Sequence, residues 1–152
     1  FKGQKGIITL PLCCRYKHAG WNADNFTVLA RILREKFPAY LLFITFGKEE
    51  EKEGNFLQEI FSKGEGITVK GNIPLQTWMS YMKYMSAVIS IDSGAVHLAA
   101  SWKVPSVVLY PKNIYELCRQ EWTPWNVPCR QLVIKDFKET SGEIITALEE
   151  LL

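Results

Sequence analysis

Short apolar runs alternate with amphipathic segments along the whole of this 152-residue sequence. The apolar runs are rich in Val, Ile and Leu, which is typical of strands that are buried on both faces of a parallel sheet. They predict six strands, at 6–12, 40–46, 67–70, 87–91, 105–110 and 131–134. Strands that alternate with helices in this way indicate an α/β fold with helices on both faces of the sheet.

The segments between the strands repeat apolar residues at helical spacing. We expect Asp24 to cap the first helix, Pro74 to lie in the first turn of another, and Ser141-Gly142-Glu143 to begin the last. Gly64 and Gly66 are expected to end the second helix. The methionines and tryptophans are expected to fill the core. The predicted inner faces contain Phe26, Leu29, Ala30, Leu33 and Phe37; Phe56, Leu57, Ile60 and Phe61; Leu75, Trp78, Met79 and Met82; and Ile144, Ile145, Leu148 and Leu151.

Right-handed crossovers arrange six such strands most simply as a doubly wound, Rossmann-like sheet of order 3-2-1-4-5-6. Strands one and four are then neighbours, and ligands bind beyond the carboxyl ends of strands at such a switch point. The loop after strand one is 13–20, and strand four is followed by Asp92-Ser93-Gly94 before a short helix, 95–101. These two segments should therefore face each other across one crevice.

The residues of this crevice suit an anion. The helix after Asp92 would begin near Ser93 and Gly94, so that unpaired backbone N–H groups and a glycine that permits close approach point into the crevice. Lys17 or Arg15 would meet the same anion from the facing loop, in a stretch that contains no acidic residue before Asp24. A phosphate or diphosphate is the natural ligand, and a histidine in the first turn of that helix, His97, could reach it.

Each residue also has an ordinary structural explanation. Ser93 or Asp92 could simply cap the helix, His97 could be a core histidine that bonds a backbone carbonyl, and the lysines could be solvated surface residues. The combination at a switch point favours the anion site, because capping requires no cations opposite. A catalytic Cys13 or Cys14 paired with His97 is conceivable across the crevice, but nothing in the sequence orients it.

Composition narrows the alternatives. The length, with 47% apolar and 22% charged residues, is typical of one globular domain, and a net charge of +2 gives no reason to expect nucleic acid as a partner. There is no GxGxxG after strand one, and no GxxxxGK[ST] or GxSxG. No secretory signal or bilayer-length apolar stretch is visible, and a chain that begins with Phe1 is expected to be part of a longer protein. No metal-ligand spacing occurs, and we expect free thiols in a reducing, cytoplasmic compartment at Cys13, Cys14, Cys118 and Cys129.

The stretch DSGAVHLAASWKVPSVVLY, from Asp92 to Tyr110, resembles the D-[ST]-G-x-x-H-L-A-A-x-x-x-x-P signature of family 9 glycosyltransferases, the heptosyltransferases of lipopolysaccharide core synthesis. The upstream stretch GNIPLQTWMSYMKYMSAVISID is similar to the helix and strand that precede this signature in the family. Lys17, Trp21 and Phe26 are similar to the family's Lys-x-Trp-Pro helix entry, with Lys17 two residues further from the tryptophan. Small hydroxyl residues that often follow strand one are replaced here by 12–14 (LCC).

The resemblance implies the carboxyl-terminal, donor-binding domain of a two-domain GT-B enzyme, over 1–152, with the amino-terminal acceptor domain outside this chain. It implies an inverting, metal-independent transfer from a nucleotide-diphosphate sugar, with an ADP-sugar favoured and no cofactor. The diphosphate would lie on Ser93, Gly94 and His97. The acceptor would be a glycan or glycolipid that resembles the lipopolysaccharide core, and peripheral membrane association of a full-length protein would be compatible with it.

The resemblance also implies roles for four more residues. Asp92 would contact the donor sugar, and Lys17 would stabilise the leaving diphosphate. A glutamate after strand two, Glu50 or Glu51, would hold the ribose. Two readings from other classes stay open beside this one: a non-catalytic nucleotide-binding module, and a GT-B-like sugar-nucleotide epimerase.

Overall fold

The computed structural model describes residues 3–61 and 65–152 and contains six strands that alternate with helices. The strands are β1 (Gly6–Pro11), β2 (Tyr40–Phe46), β3 (Ile67–Gly71), β4 (Ala87–Ile91), β5 (Ser106–Pro111) and β6 (Cys129–Ile134). The helices are α1 (Arg15–His18), α2 (Ala23–Lys36), α3 (Glu51–Ile60), α4 (Leu75–Met82), α5 (Gly94–Ser101), α6 (Tyr115–Glu121) and α7 (Phe137–Leu151), and a 3-10 turn, Lys48–Glu50, precedes α3.

The strands form one parallel sheet of order β3-β2-β1-β4-β5-β6, which confirms the predicted topology. β1 pairs with β2 along Gly6–Pro11, but with β4 only through Ile8–Ala87 and Thr9–Val88. The shorter pairing with β4 lets the carboxyl ends of β1 and β4 separate. The crevice predicted at the switch point begins there.

The hydrophobic core covers both faces of the sheet. β4 is buried along its whole length, as expected for a central strand between two helical layers. α2 packs against α3 and α7, whereas α4 packs against α5. Right-handed crossovers assign these two groups of helices to opposite faces. Apolar patterning therefore predicted the layer arrangement correctly.

Helix boundaries and inner faces differ in part from the prediction. Asn22, rather than Asp24, caps α2. Its side chain accepts a hydrogen bond from the Asn25 N–H at 3.1 Å, and the Asn25 side chain accepts one from the Asn22 N–H at 2.9 Å. α7 begins four residues before Ser141, behind the cap Asp136, whose side chain accepts the Glu139 N–H. Pro74 immediately precedes α4. Apolar residues that were predicted to face inward but are exposed are Phe56, Ile60, Leu75 and Met79.

The tryptophans divide into two groups. Trp21 is buried and Trp78 is half-buried, whereas Trp102, Trp122 and Trp125 are exposed, with Trp125 at 81%. Their expected place in the core is therefore wrong for three of five tryptophans. The helices α1 and α6 were not predicted, because four and seven residues are too few for a clear helical period.

Three remaining expectations concern single features. Gly64 lies outside the described residues. All four cysteines are free thiols. Within residues 3–61 and 65–152, no helix combines the length and the apolar character that crossing a bilayer requires.

Candidate functional site

The corner between β4 and α5 contains the predicted helix cap. Ser93 is extended, with a φ of −160°, and its hydroxyl oxygen accepts the Ala95 N–H at 3.3 Å. The same oxygen lies 3.0 Å from the hydroxyl of Ser90. Ser93 therefore caps α5, and Ser90 holds the capping side chain in place.

Gly94, the first residue of α5, has no structural reason to be a glycine. Its φ is not positive, and a Cβ built on it would meet nothing within 4 Å. By contrast, a Cβ on Gly54 would lie 2.3 Å from the ring of Phe46, so that glycine is required for packing. The exposed space in front of Gly94 gives access to a helix N-terminus, where backbone N–H groups and the helix dipole favour an anion.

Tyr16 fixes the loop after β1 to this corner. Its side chain is 1% exposed, and its hydroxyl oxygen accepts the N–H of Ile91, the last residue of β4, at 3.0 Å. The ring stacks on Trp21 and meets Phe26 edge-on. Burial raises the pKa of Tyr16, so the hydroxyl stays protonated. Tyr16 was not predicted as a site residue, because only the two cations that flank it distinguish it in the sequence.

Arg15 lies at the corner, as predicted. Its guanidinium donates a hydrogen bond to the backbone carbonyl of Asp92 and lies 3.6 Å from the Asp92 carboxylate. Arg15 and Asp92 line a pocket of about 320 Å³ with His18, Ile91, Pro111 and Ile114. The structure therefore brings Arg15 and Asp92 together beside a cavity.

Lys17 follows Tyr16 in α1, whereas Arg15 precedes it. Its ammonium is 3.0 Å from Oε1 of Glu53 in α3, rather than at the Asp92 corner. Glu53 was not predicted, because it belongs to a run of acidic residues after β2 in which nothing distinguishes it. The acid-free stretch before Asp24 suggested a locally basic crevice, but in the part of the chain that the structure describes Arg15 and Lys17 are each paired with a carboxylate from another segment.

Glu50 and Glu51 lie beside a second pocket and differ in burial. Glu50 is 7% exposed and accepts the Gly47 N–H at 3.3 Å, whereas Glu51 is exposed and accepts a hydrogen bond from Asn72 at 3.3 Å. The second pocket has a volume of about 300 Å³ and is lined by Pro11, Leu12, Thr45, Phe46, Gly47, Glu50, Ile73, Leu75 and Trp78. Trp78 is held there because its indole N–H donates to Thr45 Oγ1 at 3.1 Å.

His97 is exposed in the first turn of α5, on the same helix as Gly94. Its ring meets that of Trp122 edge-on at 6.2 Å. The alternative in which His97 is a buried core histidine is therefore wrong.

The two adjacent cysteines lie at the crevice as well. Burial raises the pKa of Cys13, which disfavours the thiolate that a nucleophile requires. Potential ligand atoms of Cys14, Glu49 and Glu50 lie within 4.8 Å of one another. Three protein ligands are the number that catalytic zinc sites use and one fewer than structural zinc sites use, and Glu50 already bonds the Gly47 N–H.

A larger cavity, of about 680 Å³, lies away from the crevice, between β6 and α7. Its charged lining residues include Arg130 and Glu150, which form an ion pair with each other. Size alone would favour this groove as a ligand site, but three of the predicted site residues, Arg15, Asp92 and Glu50, line the other two pockets.

The sequence matches that of a known protein family. The sequence pattern of glycosyltransferase family 9 (heptosyltransferase) matches residues 1–141. No curated protein sequence matches the chain.

Solved structures share the fold. The chain is similar to E. coli ADP-heptose LPS heptosyltransferase II, with 15% identity and a TM-score of 0.75 over 99% of this chain and 47% of that one. It is similar to a family 9 glycosyl transferase from Veillonella parvula, with 19% identity and a TM-score of 0.74 over 99% and 47% of the two chains. Methanocaldococcus jannaschii UDP-GlcNAc 2-epimerase gives 13% and 0.67 over 97% and 38%. The chain spans less than half the length of each of these proteins, and identities this low concern the fold alone.

Proposed function

Because this chain belongs to glycosyltransferase family 9 (heptosyltransferase), we propose that it is the nucleotide-sugar-binding half of an enzyme that transfers a sugar. The observation that carries the proposal is the corner at Gly94. A glycine that neither backbone conformation nor packing requires stands there at a helix N-terminus, in front of open space. An approaching diphosphate explains why that position carries no side chain.

The two pockets beside α1 suit the two ends of a nucleotide-sugar. We assign the nucleoside to the pocket that contains Glu50 and Trp78, with Glu50 or Glu51 accepting bonds from the ribose hydroxyls. We assign the transferred sugar to the pocket that contains Arg15 and Asp92. The diphosphate would connect these ends.

The diphosphate itself would lie on Ser93, Gly94 and His97, which share the first turn of α5 and its cap. Arg15 would reach it from the loop after β1, while its bond to the Asp92 carbonyl fixes that corner. Backbone donors at a helix N-terminus are already aimed before the ligand arrives, so they stabilise charge without reorganisation.

The proposed chemistry is direct displacement at the anomeric carbon with inversion. The acceptor oxygen forms the new bond, the bond to the diphosphate breaks, and the nucleoside diphosphate takes the electron pair. The helix N-terminus and Lys17 would balance the charge on that leaving group, so the reaction would need no metal. The group that takes the acceptor proton would belong to the other half of the enzyme.

The donor and acceptor are also part of the proposal. An ADP-sugar, with heptose as one candidate, is favoured because the E. coli relative is named for ADP-heptose and LPS. A glycan or glycolipid that resembles the lipopolysaccharide core would be the acceptor, bound through the other half. Four free thiols suit the cytoplasm, and a glycolipid acceptor would place a full-length protein at the cytoplasmic face of a membrane.

Calorimetric titration of the chain with ADP, UDP and GDP tests the site. We expect binding of the diphosphates, with ADP the tightest. Absence of binding by all three would overturn the proposal.

A turnover assay on a protein that contains both halves tests the reaction, with and without a chelator. Sugar transfer that survives chelation supports a metal-independent transferase. Nucleotide binding without turnover would instead favour a binding module, and conversion of a free nucleotide-sugar to its epimer would favour an epimerase.

A further inference from the structure

The ion pair between Lys17 and Glu53 joins two loops of the crevice. Lys17 belongs to α1, which follows β1, and Glu53 lies in the first turn of α3, which follows β2. The atoms Nζ and Oε1 are 3.0 Å apart. The side chain of Glu53 is 18% exposed and that of Lys17 is 45% exposed, so the glutamate is the more buried partner and the lysine is about half exposed to solvent.

Glu53 depends on Lys17 for its charge compensation. Burial alone would raise the pKa of Glu53, but hydrogen bonds from Lys17 and from its own backbone N–H, together with the charge of Lys17, lower it below its usual value. The other oxygen, Oε2, is buried and has no hydrogen-bond partner among the described residues. If Lys17 swung away, this mostly buried carboxylate would lose its main compensation, so the ammonium is confined near Oε1.

The ion pair with Glu53 leaves Lys17 able to bind a second anion. An ammonium group has three N–H donors, and one of them suffices for Oε1 of Glu53. The remaining donors are available to a second anion on the solvent side. A lysine that is already restricted in position also loses less rotamer freedom when it binds a ligand.

The neighbouring glutamates do not have this contact. Glu50 bonds the Gly47 N–H, and Glu51 bonds Asn72. Within the described part of the run from 49 to 53, Glu53 is the member that holds a cation.

We propose that Glu53 is a positioning residue, which holds the Lys17 ammonium at the crevice so that it meets the diphosphate of a nucleoside diphosphate. This inference rests on the proposed function, in which Lys17 stabilises the leaving diphosphate. Glu53 itself touches no ligand atom in this account and acts through Lys17. By electrostatics alone, removal of the negative charge of Glu53 would strengthen anion binding. Loss of its positioning of Lys17 would instead weaken anion binding.

Calorimetric titration with ADP and adenosine distinguishes these two outcomes, because adenosine lacks both phosphates. In the parent chain we expect ADP to bind more tightly than adenosine. Glu53→Gln should weaken ADP binding about tenfold, as Lys17→Ala does, while adenosine binding stays unchanged. The double variant should bind ADP no more weakly than either single variant, because the two residues act as a unit.

Glu59→Gln is the matched control, since Glu59 is an exposed glutamate of the same helix and the substitution removes the same charge. It should leave both affinities unchanged. A Glu53→Gln variant that binds ADP as tightly as the parent, or more tightly, overturns the positioning role while the proposed function stands. A parent chain that binds neither ADP nor adenosine overturns the proposed function, and the inference with it.

Discussion

Arg15 and Lys17 flank Tyr16 on one four-residue helix, yet their side chains end in different surroundings. Arg15 bonds Asp92 after β4, and Lys17 bonds Glu53 in α3. In both pairs the cation is about half exposed, 57% and 45%, whereas the carboxylate is mostly buried, 15% and 18%. Two cations of one short helix therefore serve two walls of the crevice, each held by its own carboxylate.

The shared feature of the two sides is their anchor. The Tyr16 hydroxyl accepts the Ile91 N–H where β1 and β4 separate, so α1 sits over the switch point with one cation on each side. An anion that enters the crevice meets cations that are already paired. We therefore expect the uncompensated helix N-terminus at Gly94 to matter more for anion binding than either cation.

Gly94→Val should have the greatest effect, and it tests whether the helix N-terminus beside Asp92 matters more for anion binding than either cation. The Cβ of a valine would enter the open space in front of α5, where no other atom lies within 4 Å of it. Loss of two hydrogen bonds to a charged phosphate should weaken ADP binding about a hundredfold, as measured by calorimetry. Gly142→Val in α7 is the control, because a Cβ there also meets nothing within 4 Å. If both variants bind ADP like the parent, the corner is not the anion site.

The Tyr16 hydroxyl, which anchors α1 between the two walls of the crevice, should have the next greatest effect. Tyr16→Phe keeps the ring contacts but leaves the buried Ile91 N–H without its acceptor. The free energy of unfolding, measured by urea titration, should fall by about 1–3 kcal/mol. Tyr84→Phe, at an exposed tyrosine, should change it by less than about 0.5 kcal/mol. Equal stability of the two variants would show that the hydroxyl does not anchor α1.

The ion pair of Lys17 with Glu53 should have the smallest effect of the three features. Because Lys17 lowers the pKa of Glu53, the pair stabilises the fold above the ordinary carboxyl pKa, and that stability is lost as pH falls through the lowered value. Lys17→Ala should raise the pKa of Glu53, followed by carboxyl ¹³C NMR, and remove about 0.2–1 kcal/mol of stability at neutral pH. Lys36→Ala, at an exposed lysine of α2, should leave the Glu53 titration unchanged. An unaltered titration in Lys17→Ala would mean that the pair does not persist in solution.

The order of strands could be predicted because apolar runs and right-handed crossovers leave few arrangements of six parallel strands. Helix ends were less predictable, because Asn22 and Asp136 compete with Asp24 and Ser141 as caps on equal terms. Sequence patterns carry no information on which of two plausible hydroxyl or carboxyl groups reaches the first turn.

The corner at Gly94 and the nearness of Arg15 to Asp92 also followed from topology. The ion pair of Lys17 with Glu53 did not, since it depends on the direction in which a four-residue helix turns its side chains. That direction is set by the burial of Tyr16, a tertiary contact with β4 that no local pattern reports.

Amide chemical-shift mapping of the ¹⁵N-labelled chain during titration with ADP tests directly whether a nucleotide binds at the corner of β4 and α5. We expect the largest shifts on Gly94–His97 and on the 47–51 segment beside the nucleoside pocket. Shifts confined to the groove between β6 and α7, around Arg130 and Glu150, with none at Gly94, would contradict this expectation.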